Sequence, residues 1–185
     1  IAGLDEHSVV HLAYADAGAH VVALDRTSGA LEELDDEIRA IGGTATLVPL
    51  DLGDVAGIEK LGPALLQRWG KLDILLANAG ILGPLSPLTH ASPKEWAKVF
   101  DTNVTANWRL LKSVEPALQA SDAGRVILMS SGAAHKCLAY WGPYSISKAA
   151  VEAMGRTYAA ETVTTPLKVM LVNPGPLRTK MRAEA

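Results

Sequence analysis

The chain has a single cysteine, Cys137, among its 185 residues. One thiol cannot form an internal disulfide, which is typical of proteins from a reducing compartment, and we therefore expect a cytoplasmic protein. No residue near Cys137 in the sequence resembles the base that a cysteine nucleophile needs. We therefore interpret it as a small buried or half-buried side chain.

Strong charge and long apolar runs are also missing. The net charge of −3 gives no field that would attract nucleic acid or an anionic membrane. No run of roughly 18 or more residues is free of polar groups, so we expect no membrane span. No secretory signal is visible at Ile1, and no metal site is predicted. What remains is a composition typical of a soluble globular protein, long enough for one domain over residues 1–185.

Short apolar runs alternate along the chain with longer amphipathic stretches. The runs predict five strands, over His20–Leu24, Thr46–Leu50, Ile74–Ala77, Arg125–Met129 and Lys168–Val172. The amphipathic stretches predict helices over Val9–Ala17, Ser28–Ile41, Val55–Trp69, Pro93–Leu118 (with a break near Thr102) and Tyr144–Glu161. Strict alternation implies βαβ units, and continuous apolar strands are expected where helices cover both faces of a parallel sheet. The sequence predicts an α/β fold with an open, doubly wound parallel sheet.

Polar or turn-forming residues follow each predicted strand. Ligands of such sheets bind at the carboxyl ends of the strands. We therefore expect one shared crevice, formed by Asp25, Asp51, Asn78, Ser130-Ser131 and Pro174-Gly175.

The most informative motif is Tyr144-Ser-Ile-Ser-Lys148. Residues four apart share one face of a helix, so the phenol and the ammonium should be neighbours. A free tyrosine has a pKa near ~10, and a neighbouring cation favours the phenolate and lowers that pKa. Tyr144 could then act as a general acid/base. The same motif also occurs by chance on solvated helix faces.

Ser131 and Asn103 are two further candidates. Ser131 follows a strand thirteen residues before Tyr144, and its hydroxyl could orient a carbonyl or alcohol oxygen beside the phenol. Asn103 lies in the middle of a predicted helix, where asparagine is unfavourable. Either it is an exposed helix residue or a local kink, or its side chain or carbonyl holds water near Lys148.

With these residues the chain resembles the short-chain dehydrogenase/reductase family over nearly all its length. The matching motifs are Asp51-Leu52, Asn78-Ala79-Gly80, Asp101-Thr-Asn103-Val104, Ser130-Ser131-Gly132, Tyr144-Ser-Ile-Ser-Lys148 and Asn173-Pro174-Gly175-Pro-Leu-Arg-Thr179. The resemblance implies a Rossmann fold and an NAD(P)-dependent oxidoreductase acting on a small alcohol or ketone. It implies Tyr144 as the acid/base and Ser131 as the group that polarises the substrate oxygen. Lys148 would bind the nicotinamide ribose and tune the tyrosine, and Asn103 would complete a proton relay.

The same resemblance implies the cofactor contacts. Asp51 and Leu52 would meet the adenine edge. The run Asn78-Ala79-Gly80 would line the floor beneath the adenosine ribose, and Pro174, Gly175 and Thr179 would flank the nicotinamide.

Asp25, at the end of the first visible strand, favours NAD. A carboxylate there can accept the ribose hydroxyls and repels a 2′-phosphate. Arg26 follows at once and could instead pair with that phosphate, which keeps NADP as the alternative.

Both ends depart from the family pattern. The segment Ile1–Ser8 has one glycine, Gly3, and two acids where the family has a glycine-rich turn. We expect that the first strand and part of this turn precede Ile1; the alternative is loss of ordinary dinucleotide binding. A lid usually follows Thr179, so substrate identity is out of reach. The remaining candidates for the pocket wall are Leu82–Leu85, Ala133–Trp141 and Leu177–Arg182, with Leu138, Tyr140 and Trp141 as its apolar part.

The resemblance also implies a homodimer or homotetramer, formed by the helices around Trp96–Leu118 and Ala149–Ala160. Two other functions stay open. One is a non-catalytic sensor or scaffold that keeps the fold, and the other is a different reaction on the same fold, such as epimerisation or dehydration.

Overall fold

The computed structural model describes residues 8–175. Five strands are present: β1 (His20–Asp25), β2 (Thr44–Pro49), β3 (Ile74–Ala77), β4 (Arg125–Met129) and β5 (Lys168–Val172). The helices are α1 (Ser8–Asp16), α2 (Ser28–Ala40), α3 (Val55–Trp69), α4 (Pro93–Phe100), α5 (Ala106–Gln119), α6 (Ala133–Lys136) and α7 (Gly142–Glu161), with a 3₁₀ turn at Leu88–His90 and a π turn at Asp101–Thr105.

All strand pairs are parallel, which confirms the predicted α/β class. The strand β1 pairs with β2, and β4 lies between β3 and β5. Within residues 8–175, β1 and β3 share no hydrogen-bonded ladder, so the strands form a sheet of two and a sheet of three. The carboxyl ends of the strands within each sheet therefore lie on one edge.

Alternate residues of β1 enter two different cores, as the two-residue period of a strand requires. Val21 and Ala23 pack with Leu31 and other apolar residues of α2. Val22, between them, packs instead against the cluster formed by α3, α5 and the three-stranded sheet. Both faces of β1 are thus covered, as a doubly wound sheet requires.

The three-stranded sheet is packed chiefly on one face. Leu75, Val126 and Leu128 are buried against α5 and α7. On the other face Ile74 is 37% exposed and Met170 is 40% exposed. The predicted covering of both faces is therefore incomplete for this sheet among residues 8–175.

The long predicted helix is interrupted where its asparagine lies. Ser92 and Glu95 form a capping box that starts α4, with Pro93 in the first turn, as the sequence predicts. The π turn at Asp101–Thr105 then separates α4 from α5. It allows the side chain of Asn103 to bond the backbone of another segment.

Close packing of α3 on α5 depends on Gly62. Its backbone nitrogen donates to the Ser113 hydroxyl at 3.0 Å, and that hydroxyl donates to the Ile58 carbonyl at 2.6 Å. A Cβ at Gly62 would lie 1.7 Å from the Ser113 carbonyl oxygen, which no real contact permits.

We expect Gly62→Ala to lower the free energy of unfolding by about 3 kcal/mol, because the two helices must move apart. Urea denaturation measures the change. Gly29→Ala is the matched control, since a Cβ at that exposed helical position meets nothing within 4 Å. It should stabilise the chain by about 0.5–1 kcal/mol. Equal unfolding midpoints for the two variants would contradict the packing described here.

Within residues 8–175, no helix has both the length and the apolar character needed to cross a bilayer.

Candidate active site

The first two turns of α7 bring a phenol and an ammonium together. Pro143 lies in the first turn of α7, a position that proline favours. Tyr144 and Lys148 follow one turn apart, and their exposed fractions are 8% and 5%. The Lys148 Nζ lies 5.8 Å from the centre of the Tyr144 ring. The two side chains that the motif predicts as neighbours therefore lie on the same side of the molecule.

The pKa of Tyr144 moves in the direction opposite to the one expected from the sequence. Burial raises the pKa of the phenol, and the hydrogen bond with Ser131 opposes this only in part. The prediction that Lys148 lowers the pKa of Tyr144 is wrong. The Lys148 ammonium faces the ring and donates to the Met129 carbonyl at 2.8 Å. At neutral pH the phenol is consequently protonated.

The surroundings of Lys148 disfavour the charged form of its side chain. Burial lowers the pKa of its ammonium from 10.5 to about 8, since a low-dielectric environment disfavours the charged form. Near neutral pH, Lys148 still carries its charge and acts as a hydrogen-bond donor.

The end of β4 supplies the serine that meets the phenol. Ser131 lies two residues beyond Met129, and its hydroxyl is near enough to the Tyr144 phenol to lower the phenol's pKa. The Ser131 hydroxyl also accepts from the Ala133 nitrogen at 3.2 Å, which fixes the turn into α6. Strand β4 and helix α7 therefore present Ser131, Tyr144 and Lys148 as one group.

Asn103 is fully buried and joins three segments. Its Oδ1 accepts from the Ile81 nitrogen at 2.8 Å, and its Nδ2 donates to the Ile81 carbonyl and the Ser147 hydroxyl, both at 2.9 Å. Asn103 is therefore not an exposed helix residue. The local kink that the sequence analysis left open is present as the π turn. The side chain ties the loop after β3 to α7, one residue before Lys148.

Asn107, one turn after Asn103, is a site residue that the sequence analysis missed. Its Nδ2 donates to the Asn103 carbonyl at 2.7 Å and to the Ala79 carbonyl at 3.1 Å. The residue is 3% exposed. Two asparagines four apart inside a predicted helix were the available signal, because asparagine is a poor helix former.

The loop after β3 lies close against Lys148 and Asn103 at Gly80. A Cβ at Gly80 would lie 3.3 Å from Lys148 Nζ and 3.6 Å from Asn103 Oδ1. Within residues 8–175, the buried Asn78 Nδ2 has no hydrogen-bond partner. A buried cation beside a residue without a side chain, and a donor with no acceptor, fit a ligand that brings hydroxyl groups to this strand edge.

The other predicted cofactor contacts lie at the ends of β1, β2 and β5. The buried Asp25 carboxylate accepts from the Thr27 nitrogen at 2.7 Å, and the exposed Asp51 carboxylate accepts from the Gly53 nitrogen at 2.7 Å. Arg26 is exposed and Leu52 is half-buried. The Asn173 side chain accepts from the Gly175 nitrogen at 3.1 Å, and Pro174 and Gly175 are exposed. The predicted contact Thr179, the pocket segment Leu177–Arg182 and the acids of residues 1–7 lie outside the described residues.

An apolar wall adjoins the phenol. Leu82, Ala133 and Tyr144 form a buried cluster against which Trp141 packs. The Trp141 and Tyr144 rings meet edge to face, with their centroids 6.1 Å apart.

The segment between Ser131 and Tyr144 is more exposed than predicted. Cys137 is exposed, so the expectation of a packed thiol is wrong; the residue ends α6 with φ +46° and lies at the surface. Tyr140 has φ +73° and is 60% exposed, and Leu138 is 54% exposed. Such backbone conformations are uncommon for side chains of this size and often occur near functional sites. Among residues 8–175, no group of three or more His, Cys, Asp or Glu side chains could hold a metal ion.

Comparison with known proteins finds relatives that align with most of the chain. The model of the short chain dehydrogenase family matches residues 8–185. The chain is 33% identical over 177 residues to an uncharacterized oxidoreductase, YciK, of Escherichia coli K12, covering 94% of this chain and 70% of that protein. It is 32% identical over 178 residues to an uncharacterized NAD-dependent oxidoreductase of Mycobacterium tuberculosis, covering 89% of this chain and 64% of that protein. The chain thus spans about two thirds of the length of these relatives.

Solved structures show the same architecture. A short chain dehydrogenase from Salmonella enterica serovar Typhi superposes with a TM-score of 0.94 at 32% identity, over 100% of this chain and 78% of that one. A Shigella flexneri short chain dehydrogenase complexed with NADP gives 0.92 at 32% identity, over 100% and 79%. An NAD⁺-bound xylitol dehydrogenase gives 0.85 at 26% identity, over 91% and 65%. The strand order, the grouping of Ser131, Tyr144 and Lys148, and these matches together establish that the chain belongs to the short-chain dehydrogenase family.

Proposed function

We propose that the protein catalyses reversible oxidoreduction between a carbonyl compound and the corresponding secondary alcohol, with NAD(P)(H) as cofactor. The observation that supports this most directly is the meeting of Ser131, Tyr144 and Lys148 at the carboxyl end of β4. A hydroxyl donor, an acid/base and a cation within one strand-end crevice are what proton transfer to a carbonyl oxygen needs.

The bound nicotinamide supplies the hydride, and the residues of the chain handle the proton. In the reductive direction, the Ser131 hydroxyl donates to the substrate oxygen. Tyr144 then gives its proton to that oxygen. At neutral pH the Tyr144 phenol carries the proton that it must give, since burial raises its pKa further above neutrality. Oxidation needs the phenolate, so its rate should rise as the pH increases.

The proposed cofactor contacts divide between the two parts of the dinucleotide. By family resemblance, Asn78, Ala79 and Gly80 would hold the adenosine ribose, and Asp51 with Leu52 would bind the adenine. Pro174, Gly175 and Thr179 would bind the nicotinamide, and Lys148 would donate to its ribose. Asn103 would complete the path along which a proton passes from solvent back to Tyr144 in reduction, and in the reverse sense in oxidation.

NAD is the proposed cofactor, with NADP as the alternative. The buried Asp25 carboxylate at the end of β1 would repel a 2′-phosphate. The Mycobacterium tuberculosis relative is named for NAD, whereas the Shigella flexneri structure holds NADP, so relatives support both.

Titration with NADH and with NADPH tests the cofactor part of the proposal. The four tryptophans report binding by fluorescence. We expect saturable binding of both, with NADH about tenfold tighter, which corresponds to about 1.4 kcal/mol. Tighter binding of NADPH would indicate that NADP is the preferred cofactor and that Arg26 pairs with its 2′-phosphate. No binding of either would contradict the proposal and favour the scaffold alternative.

We also propose that a second copy of the chain covers a groove between α5 and α7. Trp108 is 48% exposed there, and the groove has a volume of about 350 Å³. Its lining residues come from both helices: Trp108, Leu111, Lys112, Glu115, Met154, Thr157, Tyr158 and Glu161. Sedimentation velocity would reveal the homodimer or homotetramer, and a monomer at micromolar concentration would exclude it.

A further inference from the structure

One face of α7 contacts three successive residues at the end of β4, which are Met129, Ser130 and Ser131. Positions four apart on a helix share a face, and this face carries a phenol, an ammonium and a carboxylate. The phenol and the ammonium belong to the proposed machinery, whereas the carboxylate does not. The three pairs are Tyr144 with Ser131, Lys148 with Met129, and Glu152 with Ser130.

Glu152 holds the residue directly before the proposed catalytic serine. Its Oε1 accepts from the Ser130 hydroxyl at 2.6 Å. The Ser130 backbone nitrogen donates to the Val172 carbonyl of β5 at 2.8 Å. Ser130 is therefore fixed from two directions, and both residues of this side-chain bond are 6% exposed.

Two exposed side chains, His135 and Arg156, lie against this buried carboxylate. His135 Nε2 lies 3.0 Å from Oε1, and an Arg156 guanidinium nitrogen donates to Oε2 at 3.2 Å. The Ser130 hydrogen bond is the largest cause that lowers the pKa of Glu152, and Arg156 and His135 lower it further. His135 and Arg156 are themselves largely exposed, with side-chain fractions of 69% and 63%.

A buried carboxylate is an expensive way to fill space, since apolar residues of similar volume often stabilise a fold as well or better. What a carboxylate adds is direction, because a charged acceptor forms a short bond at one defined position. Here that position is one residue from Ser131. A shift of the serine by ~1 Å would break its alignment with Tyr144, and such shifts can lower rates by about 100-fold.

We propose that Glu152 is a positioning residue, which holds Ser130 so that the Ser131 hydroxyl meets the Tyr144 oxygen. The expected effect of Glu152 on turnover rests on the proposed function. Its effect on the hydrogen bond between Ser131 and Tyr144 does not depend on any reaction.

Three variants separate positioning from bulk stability. Glu152→Ala removes the acceptor, and Ser130→Ala removes only the hydroxyl that it binds. Glu152→Gln keeps an acceptor oxygen and loses the charge. Glu59→Ala is the control, because Glu59 is an exposed carboxylate on α3.

We expect Glu152→Ala and Ser130→Ala each to lower kcat by about tenfold, with dinucleotide binding unchanged. The double variant should be no slower than either single one, because both remove the same bond. Glu152→Gln should restore most of the rate. The pKa in the profile of kcat/KM against pH should move upward in the two alanine variants, because the Ser131 bond lowers the pKa of Tyr144.

A measurement without cofactor or substrate tests the same claim. The ring-carbon resonance of Tyr144, assigned by its absence from Tyr144→Phe, responds to the hydrogen bond at the phenol oxygen. Glu152→Ala and Ser130→Ala should shift it in the direction that Ser131→Ala does, while Glu59→Ala leaves it in place.

An unshifted resonance in folded Glu152→Ala and Ser130→Ala would overturn the positioning role. Equal kcat for these variants and the wild type would overturn it as well. If the resonance shifts but the wild-type protein shows no turnover, the positioning holds and the proposed function fails.

Discussion

Replacement of Tyr144 by phenylalanine is expected to lower turnover by about 1,000-fold, in line with the loss of a positioned general acid. The substitution removes one oxygen and keeps the ring. The ring packs with Leu82, Ala133 and Trp141, so the apolar wall should persist. Affinity for the dinucleotide should stay within about twofold, since the phenol oxygen faces Ser131. Steady-state rates and fluorescence titration on the same samples measure both quantities.

Tyr14→Phe is the matched control for this variant. Tyr14 is half-buried on α1 and packs against the cluster of β1 and α2, away from β4 and α7. Its loss of a hydroxyl should leave turnover unchanged. Turnover by Tyr144→Phe close to that of Tyr14→Phe would remove Tyr144 from the acid/base role.

Lys148→Met is expected to have two opposite effects, a loss of turnover of about 100-fold and a gain in stability. The lowered pKa of about 8 means that folding disfavours the ammonium, at about 3 kcal/mol for a shift of this size. Methionine avoids this cost but gives up the bond to the Met129 carbonyl, about 1.5–3 kcal/mol for a charged donor. The net gain in the free energy of unfolding is therefore small, about 1 kcal/mol at neutral pH.

The gain should depend on pH in a defined direction. Between pH 8 and 10.5 the unfolded wild type binds a proton at Lys148 that the folded chain has released, so the stability of the wild type rises with pH there. The advantage of Lys148→Met is therefore full below pH 8 and falls away above it. Urea denaturation at several pH values measures it, with the exposed Lys60→Met as control. A destabilised Lys148→Met at neutral pH would show that the bond to Met129 outweighs burial.

The fold follows from local patterns to an unusual degree. The bounds of α3, β3, β4 and β5 agree with the apolar runs and with the glycine that ends α3. Parallel pairing follows from strict alternation of strands and helices. The separation of β1 from β3 among residues 8–175 does not follow, because periodicity identifies strands but does not say which strands pair.

The site was predictable in position and less so in electrostatics. Strand ends and helical spacing identify Ser131, Tyr144 and Lys148 as neighbours. The direction of the Tyr144 pKa depends instead on the balance between burial and a hydrogen bond, which only the packed structure sets. The spacing places Lys148 on the same helix face as Tyr144. Its ammonium, however, donates to the Met129 carbonyl of β4.

Asn107 and Glu152 show the other limit of sequence reasoning. Both are buried polar side chains whose partners lie on segments far along the chain. A second asparagine four residues after Asn103 is a weak sequence signal for Asn107, whereas Glu152 resembles an ordinary helical surface residue. The partners of both arise from tertiary packing, which local sequence does not specify.

The most direct test of the central claim is the fate of deuterium placed on the transferable position of NADH or NADPH. Wild-type protein supplied with a panel of ketones should yield an alcohol that carries the label on its carbinol carbon, and Tyr144→Phe, although it still binds the dinucleotide, should yield almost none. Product formed without the label, or labelled product formed equally fast by Tyr144→Phe, would contradict hydride transfer assisted by this phenol.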